Sequence, residues 1–415
     1  MRVGETGGCP SKTRSKEHYP DVLADSLLES KRSVELNAMD QQEPVPPSLE
    51  LAHDELEAIV QRATQSHAAQ VVSWQVNQLT GGRETVSRIY QVDVQAQVPT
   101  SRQLVRLPLI LKRVGMTPER LASTHWNYWL REAEAYASHS LTRLPASLAA
   151  PQCYGINRSE DVVWIWLEHV EASSVAQWTE AEIGPVCYEL GRFNGAYLTD
   201  NALPTGAWAT RDWLRQYVAT TATYIEQLPN LQQHPLVGRA VDSQLLPELL
   251  RFVEEREHWL SQLESLPQVF CHQDIHRGNL FLSSALASQL QMVAIDWSFA
   301  GIAALGQELA SILFTNRHVP NIFALATQQY TAGLRAVGWQ GDEATVWWSS
   351  ASTTALNYGV AMVGLFIEQL LDEQKHAQLV DGFGSTIEHL PPRVNRWIEF
   401  GLNYANVARG ITNAK

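Results

Sequence analysis

Residues 71–79, 85–94 and 103–114 read as strands, with apolar side chains at two-residue spacing, whereas beyond residue 170 apolar side chains return at every third or fourth position. This change of period is the strongest constraint on the fold. Side chains alternate across a strand but share a helix face only at three- and four-residue spacing. The first part therefore builds a sheet, with Val86, Tyr90, Val92 and Val94 on one face of its second strand, and the second part builds a helical body. Two more strand candidates, 151–156 and 162–170, flank a polar turn at 157–160 and bring the expected number to five. A helix over 49–64 precedes them, on the spacing of Leu56, Ile59, Val60 and Ala63. Between the third and fourth strands, Thr117 is expected to cap and Pro118 to open one long helix carrying Trp126, Trp129 and Tyr136. Beyond residue 170, Thr179 and Glu182 have capping-box spacing ahead of an apolar face of Ile183, Val186, Cys187, Leu190, Phe193 and Tyr197. Further helices are expected at 211–227, 246–266, 305–315 and through most of the region after 321. The reading is an α+β, bilobal chain: a small β-rich N-lobe over 48–170 and a larger, mainly helical C-lobe over 171–415. Residues 1–47 are polar, close on Pro44-Val45-Pro46-Pro47 and have little to bury, so they are expected to be a disordered tail with at most a brief helix at 21–28.

Composition excludes some functions. A net charge of −13 lacks the basic face a nucleic-acid binder needs. The four cysteines, Cys9, Cys153, Cys187 and Cys271, are scattered and form no C-x-x-C pair, so reduced thiols in the cytoplasm are expected rather than a disulfide framework. No N-terminal run fits a signal peptide, and the longest apolar stretch, 360–367, falls short of the roughly 20 residues a spanning helix needs. The expected partner is a small molecule, with no nucleic acid and no membrane; oligomeric state is not legible.

One stretch interrupts the helical part. An apolar pair, Val269-Phe270, leads into Cys271-His272-Gln273-Asp274-Ile275-His276-Arg277-Gly278-Asn279, and a second apolar run follows. Further on, Met292-Val293-Ala294-Ile295 ends in Asp296-Trp297. Short apolar runs with polar ends read as buried strands, and two adjacent strands are expected to hold Asp274, Asn279 and Asp296 at one mouth. Two carboxylates and an amide are oxygen donors suited to Mg²⁺, which also takes substrate phosphates.

The spacing is that of a kinase catalytic loop. The wording, H-Q-D-I-H-R-G-N-L-F followed by A-I-D-W, resembles the aminoglycoside phosphotransferase and choline kinase family, which has a protein-kinase-like fold. The chain lacks the D-F-G and A-P-E motifs of protein kinases. The resemblance implies transfer of the γ-phosphoryl group of ATP to a small-molecule hydroxyl, with Asp274 serving the acceptor and Asn279 and Asp296 holding Mg²⁺. Lys112, ending Leu109-Ile110-Leu111-Lys112, matches the lysine that reaches nucleotide phosphates; Arg113 points to the other strand face. Glu132 matches the helix glutamate that holds that lysine, and Glu134, two residues on, cannot share its face. Gly81 and Gly82 are turn residues whose backbone can approach phosphate. The Glu168 carbonyl and Val170 N–H stand where the family grips adenine. His272 is expected to support the loop. Glu308 falls where the family often has an aspartate, and it must reach further if it braces that loop. The rival reading is a catalytically inactive nucleotide-binding protein on the same fold.

Overall fold

The computed structural model describes residues 49, 51–79, 87–99, 101, 104–145, 148–171, 178–286 and 289–413. The tail expected over 1–47 lies outside these. The strand-rich part runs α1 (His53–Ala63), β1 (Gln70–Leu79), β2 (Ser87–Gln97), β3 (Val105–Gly115), α2 (Arg131–Ala137), β4 (Leu148–Ala149), β5 (Cys153–Arg158) and β6 (Val162–Glu168). Five strands form one sheet in the order β1-β2-β3-β6-β5, each neighbouring pair antiparallel. Strand alternation gives it two buried faces. Tyr90, Val92, Val94, Leu109, Leu111 and Trp166 pack on Leu56, Ile59 and Val60 of α1. Val114, Val163 and Ile165 turn to the other face and join Ala133 and Tyr136 of α2. Lys112 is cross-strand partner to Ile89 and Ile165.

The long helix expected from Thr117 is not there. A single 3-10 turn at Pro118–Arg120 gives way to turns, and only α2 is helical. Trp126 and Trp129, expected on that helix, are buried from irregular backbone instead. The cause is Arg131. Its buried guanidinium takes the carbonyls of His125 (2.8 Å), Trp126 (2.8 Å), Trp208 (3.1 Å) and Ser298 (3.0 Å). A continuous helix would have spent the first two carbonyls on its own ladder.

The helical part contains α3 (Glu180–Thr199), α4 (Trp213–Glu226), α5 (Val237–Ala240), α6 (Leu246–Ser265), β7 (Gln268–Cys271), β8 (Leu280–Leu286), β9 (Gln289–Ala294), β10 (Gly301–Ala304), α7 (Leu309–Thr315), α8 (Ile322–Ala336), α9 (Glu343–Thr354), a π-helical turn (Ala355–Ala361), α10 (Met362–Leu371), α11 (His376–Phe383) and α12 (Pro391–Asn413). At the start of α3, Glu182 reaches back to the Thr179 N–H at 2.8 Å. Helices α3 and α8 meet backbone to backbone: a Cβ on Gly191 would run into the Tyr330 carbonyl, and one on Gly333 into that of Tyr188. Gly359 of the π turn and Gly401 of α12 make a second such contact.

Strand β7 pairs with β10, while β8 and β9 are an adjacent antiparallel pair that β4 extends. Two further expectations are corrected. The helix expected at 305–315 begins only at Leu309, because the chain first leaves β10 through Gly306 at φ +93°. The apolar run at 360–367 belongs to a continuous 29-residue helix, 343–371, long and apolar enough to cross a bilayer, with 67% of its most apolar window buried inside the fold. Cys153, Cys187 and Cys271 are free thiols.

Candidate active site

Lys112 is the only buried lysine among the described residues. Its Nζ lies 2.6 Å from Glu132 Oε2 and donates to Asp296 Oδ1 at 2.7 Å. Strand parity turns Lys112 toward α2, and Glu132, near the start of that helix, meets it. Glu134 is elsewhere, accepting from the Tyr128 hydroxyl at 3.1 Å. Arg113 faces away and lies over the Trp164 ring. Burial alone would lower the Lys112 pKa, but the two carboxylates hold it well above the usual lysine range. Glu132 is pushed up by burial despite the lysine. For Asp296, burial is outweighed by the Lys112 charge and hydrogen bond, which pull its carboxyl down to about 2. At neutral pH the centre holds an ammonium and at least one firmly ionised carboxylate.

Asp274 and Asn279 belong to the turn between β7 and β8. Asn279 donates its amide N–H groups to Asp274 Oδ2 (2.9 Å) and to the Asp274 carbonyl (3.1 Å). Because the β8–β9 hairpin pairs Leu280 with Ala294, and the Ile295 N–H donates to the Asn279 carbonyl at 2.8 Å, Asn279 and Asp296 sit at the same hairpin end. The structure thus brings together Lys112, Glu132, Asp274, Asn279 and Asp296, with β8 and β9 as the two adjacent strands at whose shared end Asn279 and Asp296 lie.

Several groups fix this turn. His272 places Nε2 2.9 Å from the Ile295 carbonyl, so that nitrogen carries the proton, and Nδ1 accepts the Asp274 N–H at 3.3 Å. Burial lowers its pKa, in keeping with a neutral ring. The Trp297 ring packs edge-on against His272 at 4.6 Å, and the Trp297 backbone N–H donates to Glu132 Oε1 at 3.3 Å. Glu308 accepts the His272 N–H at 2.8 Å and the Gln273 N–H at 2.9 Å. Both Gln273 (φ +69°) and Asp296 (φ +60°) hold left-handed backbone, a cost that persists only where surrounding bonds over-determine it. His276 Nε2 is 3.7 Å from Asp274 Oδ2, and Arg277 donates to the Leu280 carbonyl at 3.3 Å.

The remaining expected residues stand apart. Glu168 ends β6 opposite Leu109, three residues along β3 from Lys112, roughly 10 Å at strand rise. Its carboxylate accepts the Gln152 N–H at 3.0 Å, and Val170 is half-buried just beyond. Gly81 and Gly82 lie outside the described residues. Missed in the sequence were Arg131, the buried pair Gln273–Gln307 (2.8 Å) and Asn194, which donates to the Phe270 carbonyl at 2.8 Å while accepting from Tyr330 at 2.7 Å. Asn194 on the apolar face of α3 was the one available signal.

The donor chemistry fits Mg²⁺. Asn279 commits its nitrogen to Asp274, which leaves its oxygen for a cation, and the Asp296 side chain remains 39% exposed. Among the described residues no group of three His, Cys, Asp or Glu could hold a metal. A cation here would therefore complete its shell with water and phosphate, as Mg²⁺ does.

A family model described as "Phosphotransferase enzyme family" matches residues 104–348. No curated protein matches. Among solved structures, the chain is similar to a microcompartment-associated aminopropanol kinase at 12% identity, over 86% of this chain and 97% of that one, with a TM-score of 0.50. It is similar to choline kinase from Cryptosporidium parvum Iowa II at 10% identity, over 82% and 90%, TM-score 0.49. It is also similar to aminoglycoside phosphotransferase APH(4)-Ia at 14% identity, over 86% and 99%, TM-score 0.45. The fold is protein-kinase-like.

Proposed function

The chain belongs to the phosphotransferase enzyme family, and from that premise we propose that it moves the γ-phosphoryl group of ATP, with Mg²⁺, to a hydroxyl of a small molecule. The observation that carries the proposal is the junction of two assemblies at one hairpin end: Lys112 between Glu132 and Asp296, and Asn279 locked to Asp274.

In this reading Lys112 places its fixed positive charge against the nucleotide phosphates, oriented by Glu132. Asn279 and Asp296 would hold Mg²⁺, which supplies neutralisation of phosphate charge. Asp274 accepts a hydrogen bond from the acceptor hydroxyl and aims its oxygen at the γ-phosphorus. As the new O–P bond forms, the bond to the β-phosphate oxygen breaks, ADP leaves and the hydroxyl proton passes to Asp274. Asp274 chiefly positions the hydroxyl and takes its proton late, because attack on phosphorus acidifies the hydroxyl only as the new bond forms. The Glu168 carbonyl and Val170 N–H are proposed to meet adenine, and Gly81-Gly82 the phosphates. Free thiols are in keeping with a cytoplasmic home, which is part of the same proposal. An ADP-release screen over hydroxyl compounds tests it: acceptor-dependent, Mg²⁺-dependent ADP is expected, and binding of ATP with no ADP formed in the presence of any acceptor favours the inactive nucleotide binder instead.

A further inference from the structure

From the kinase reading above, we infer that the acceptor molecule carries an anionic group, a carboxylate or phosphate, held by Arg317 and Arg396. A continuous set of contacts leads there from the catalytic turn. The Gln273 carbonyl, one residue before Asp274, accepts from Ser311 at 3.4 Å, and Ser311 accepts from the Tyr358 hydroxyl at 3.1 Å. The Tyr358 ring, presented by the π turn, stacks on Phe314 with centroids 4.0 Å apart and planes 4° apart. Arg317 lies over the same Phe314 ring at 4.7 Å. Phe400 of α12 meets Phe314 edge-on at 5.5 Å, and Arg396, one helical turn earlier, shares that helix face. The Gly359–Gly401 contact lets α12 sit this close to the π turn.

Tyr358, Phe314, Arg317 and Phe400 are half-buried and Arg396 is exposed, so this face is open to a ligand. Its charge balance is unusual for so acidic a chain. No Asp or Glu occurs from residue 309 to 341 or from 344 to 367, and α12 has only Glu399. Arg317 donates to the Phe314 carbonyl at 2.7 Å, but among the described residues no carboxylate pairs with Arg317 or Arg396. Burial and the neighbouring Arg396 both hold the Arg317 pKa below the usual range. Two close guanidiniums without a counter-charge repel each other, and an anion between them relieves that repulsion with charge-assisted, fork-shaped hydrogen bonds. A cationic acceptor would find repulsion from both guanidiniums here, and no acid within residues 309–341 or 344–367 to offset it.

The test measures ADP release by the full chain with two series of hydroxyl compounds. One is anionic (glycerate, gluconate, glycerol phosphate) and the other cationic (choline, ethanolamine, kanamycin). Saturable stimulation by an anionic compound is expected. Arg396→Gln and Arg317→Met should each raise its KM about 10- to 100-fold, the loss of a charge-assisted hydrogen bond, with little change in kcat. Arg317→Lys should recover part of the loss, and Arg396, being exposed, gives a variant that folds. Stimulation by cationic compounds alone, or anionic turnover indifferent to both arginines, overturns the inference and leaves the kinase reading standing. Stimulation by neither series also overturns it; the kinase reading is then judged separately, by whether slow ADP release to water disappears in Asp274→Ala.

Discussion

Replacing Glu308 with Gln separates two effects that the native residue combines. The Glu308 side chain, 1% exposed, accepts the N–H groups of His272 (2.8 Å) and Gln273 (2.9 Å) and so holds the turn carrying Asp274. Burial pushes its pKa from the ordinary 4.5 up to about 7, against the opposing pull of those two hydrogen bonds. Between these values the folded chain keeps a proton that the unfolded chain has released, so this group's contribution to stability falls as pH rises through the window. Across the whole window the loss amounts to about 3 kcal/mol. Gln does not titrate and contributes no such slope. Its amide nitrogen, however, faces one of the two backbone N–H groups, and an unmatched buried donor costs about 1–3 kcal/mol. E308Q should therefore be less stable than the native protein near pH 5, and the gap should close or reverse near pH 8, where the native chain bears the cost of ionisation. Urea unfolding of both proteins at the two pH values reads the change in the gap directly. Activity should move the other way: at the higher pH, E308Q loses about 10- to 100-fold in kcat, because one end of the Asp274 turn has been released. A stability gap that stays constant with pH, or widens as pH rises, refutes the reasoning.

Three other substitutions probe the supports of the site. K112M leaves Glu132 buried without its cation and should cost about 3–5 kcal/mol by urea unfolding at pH 8, with ATP binding weakened as well. R131K should lower the melting temperature markedly rather than behave conservatively, since one ammonium cannot span the four carbonyls that the guanidinium ties together; a cost under about 1 kcal/mol would contradict this role. G191A forces a methyl group into the Tyr330 carbonyl and should destabilise by about 1–3 kcal/mol or more, read from the unfolding midpoint.

Much of the site was legible because its signals are local. Strand parity alone turned Lys112 inward and Arg113 outward, and helix spacing separated Glu132 from Glu134. The spacing from Asp274 to Asn279 marked one turn, and the apolar run before Asp296 marked a strand end. What was not legible depends on contacts distant in sequence. Trp126 and Trp129 sit three apart beyond a proline and imitate a helix, but Arg131 claims the carbonyls such a helix would need. The pairing of β7 with β10 depends on Gly301–Ala304, a strand too short to show an alternation. The left-handed backbone at Gln273 has no glycine to announce it and is held by Glu308, 35 residues away. The π turn that presents Tyr358 leaves no mark on an apolar helical pattern.

The most direct measurement of the central claim compares ATP affinity and ADP formation in Asp274→Ala with those of the native chain, both with Mg²⁺ present. ADP formation should fall about 10²–10⁴-fold while the Kd for ATP changes little, because the proposal has Asp274 meet the acceptor hydroxyl and leaves the nucleotide to Lys112, Asn279 and Asp296. An undiminished rate, or a rate that falls only in step with lost ATP binding, would contradict the account.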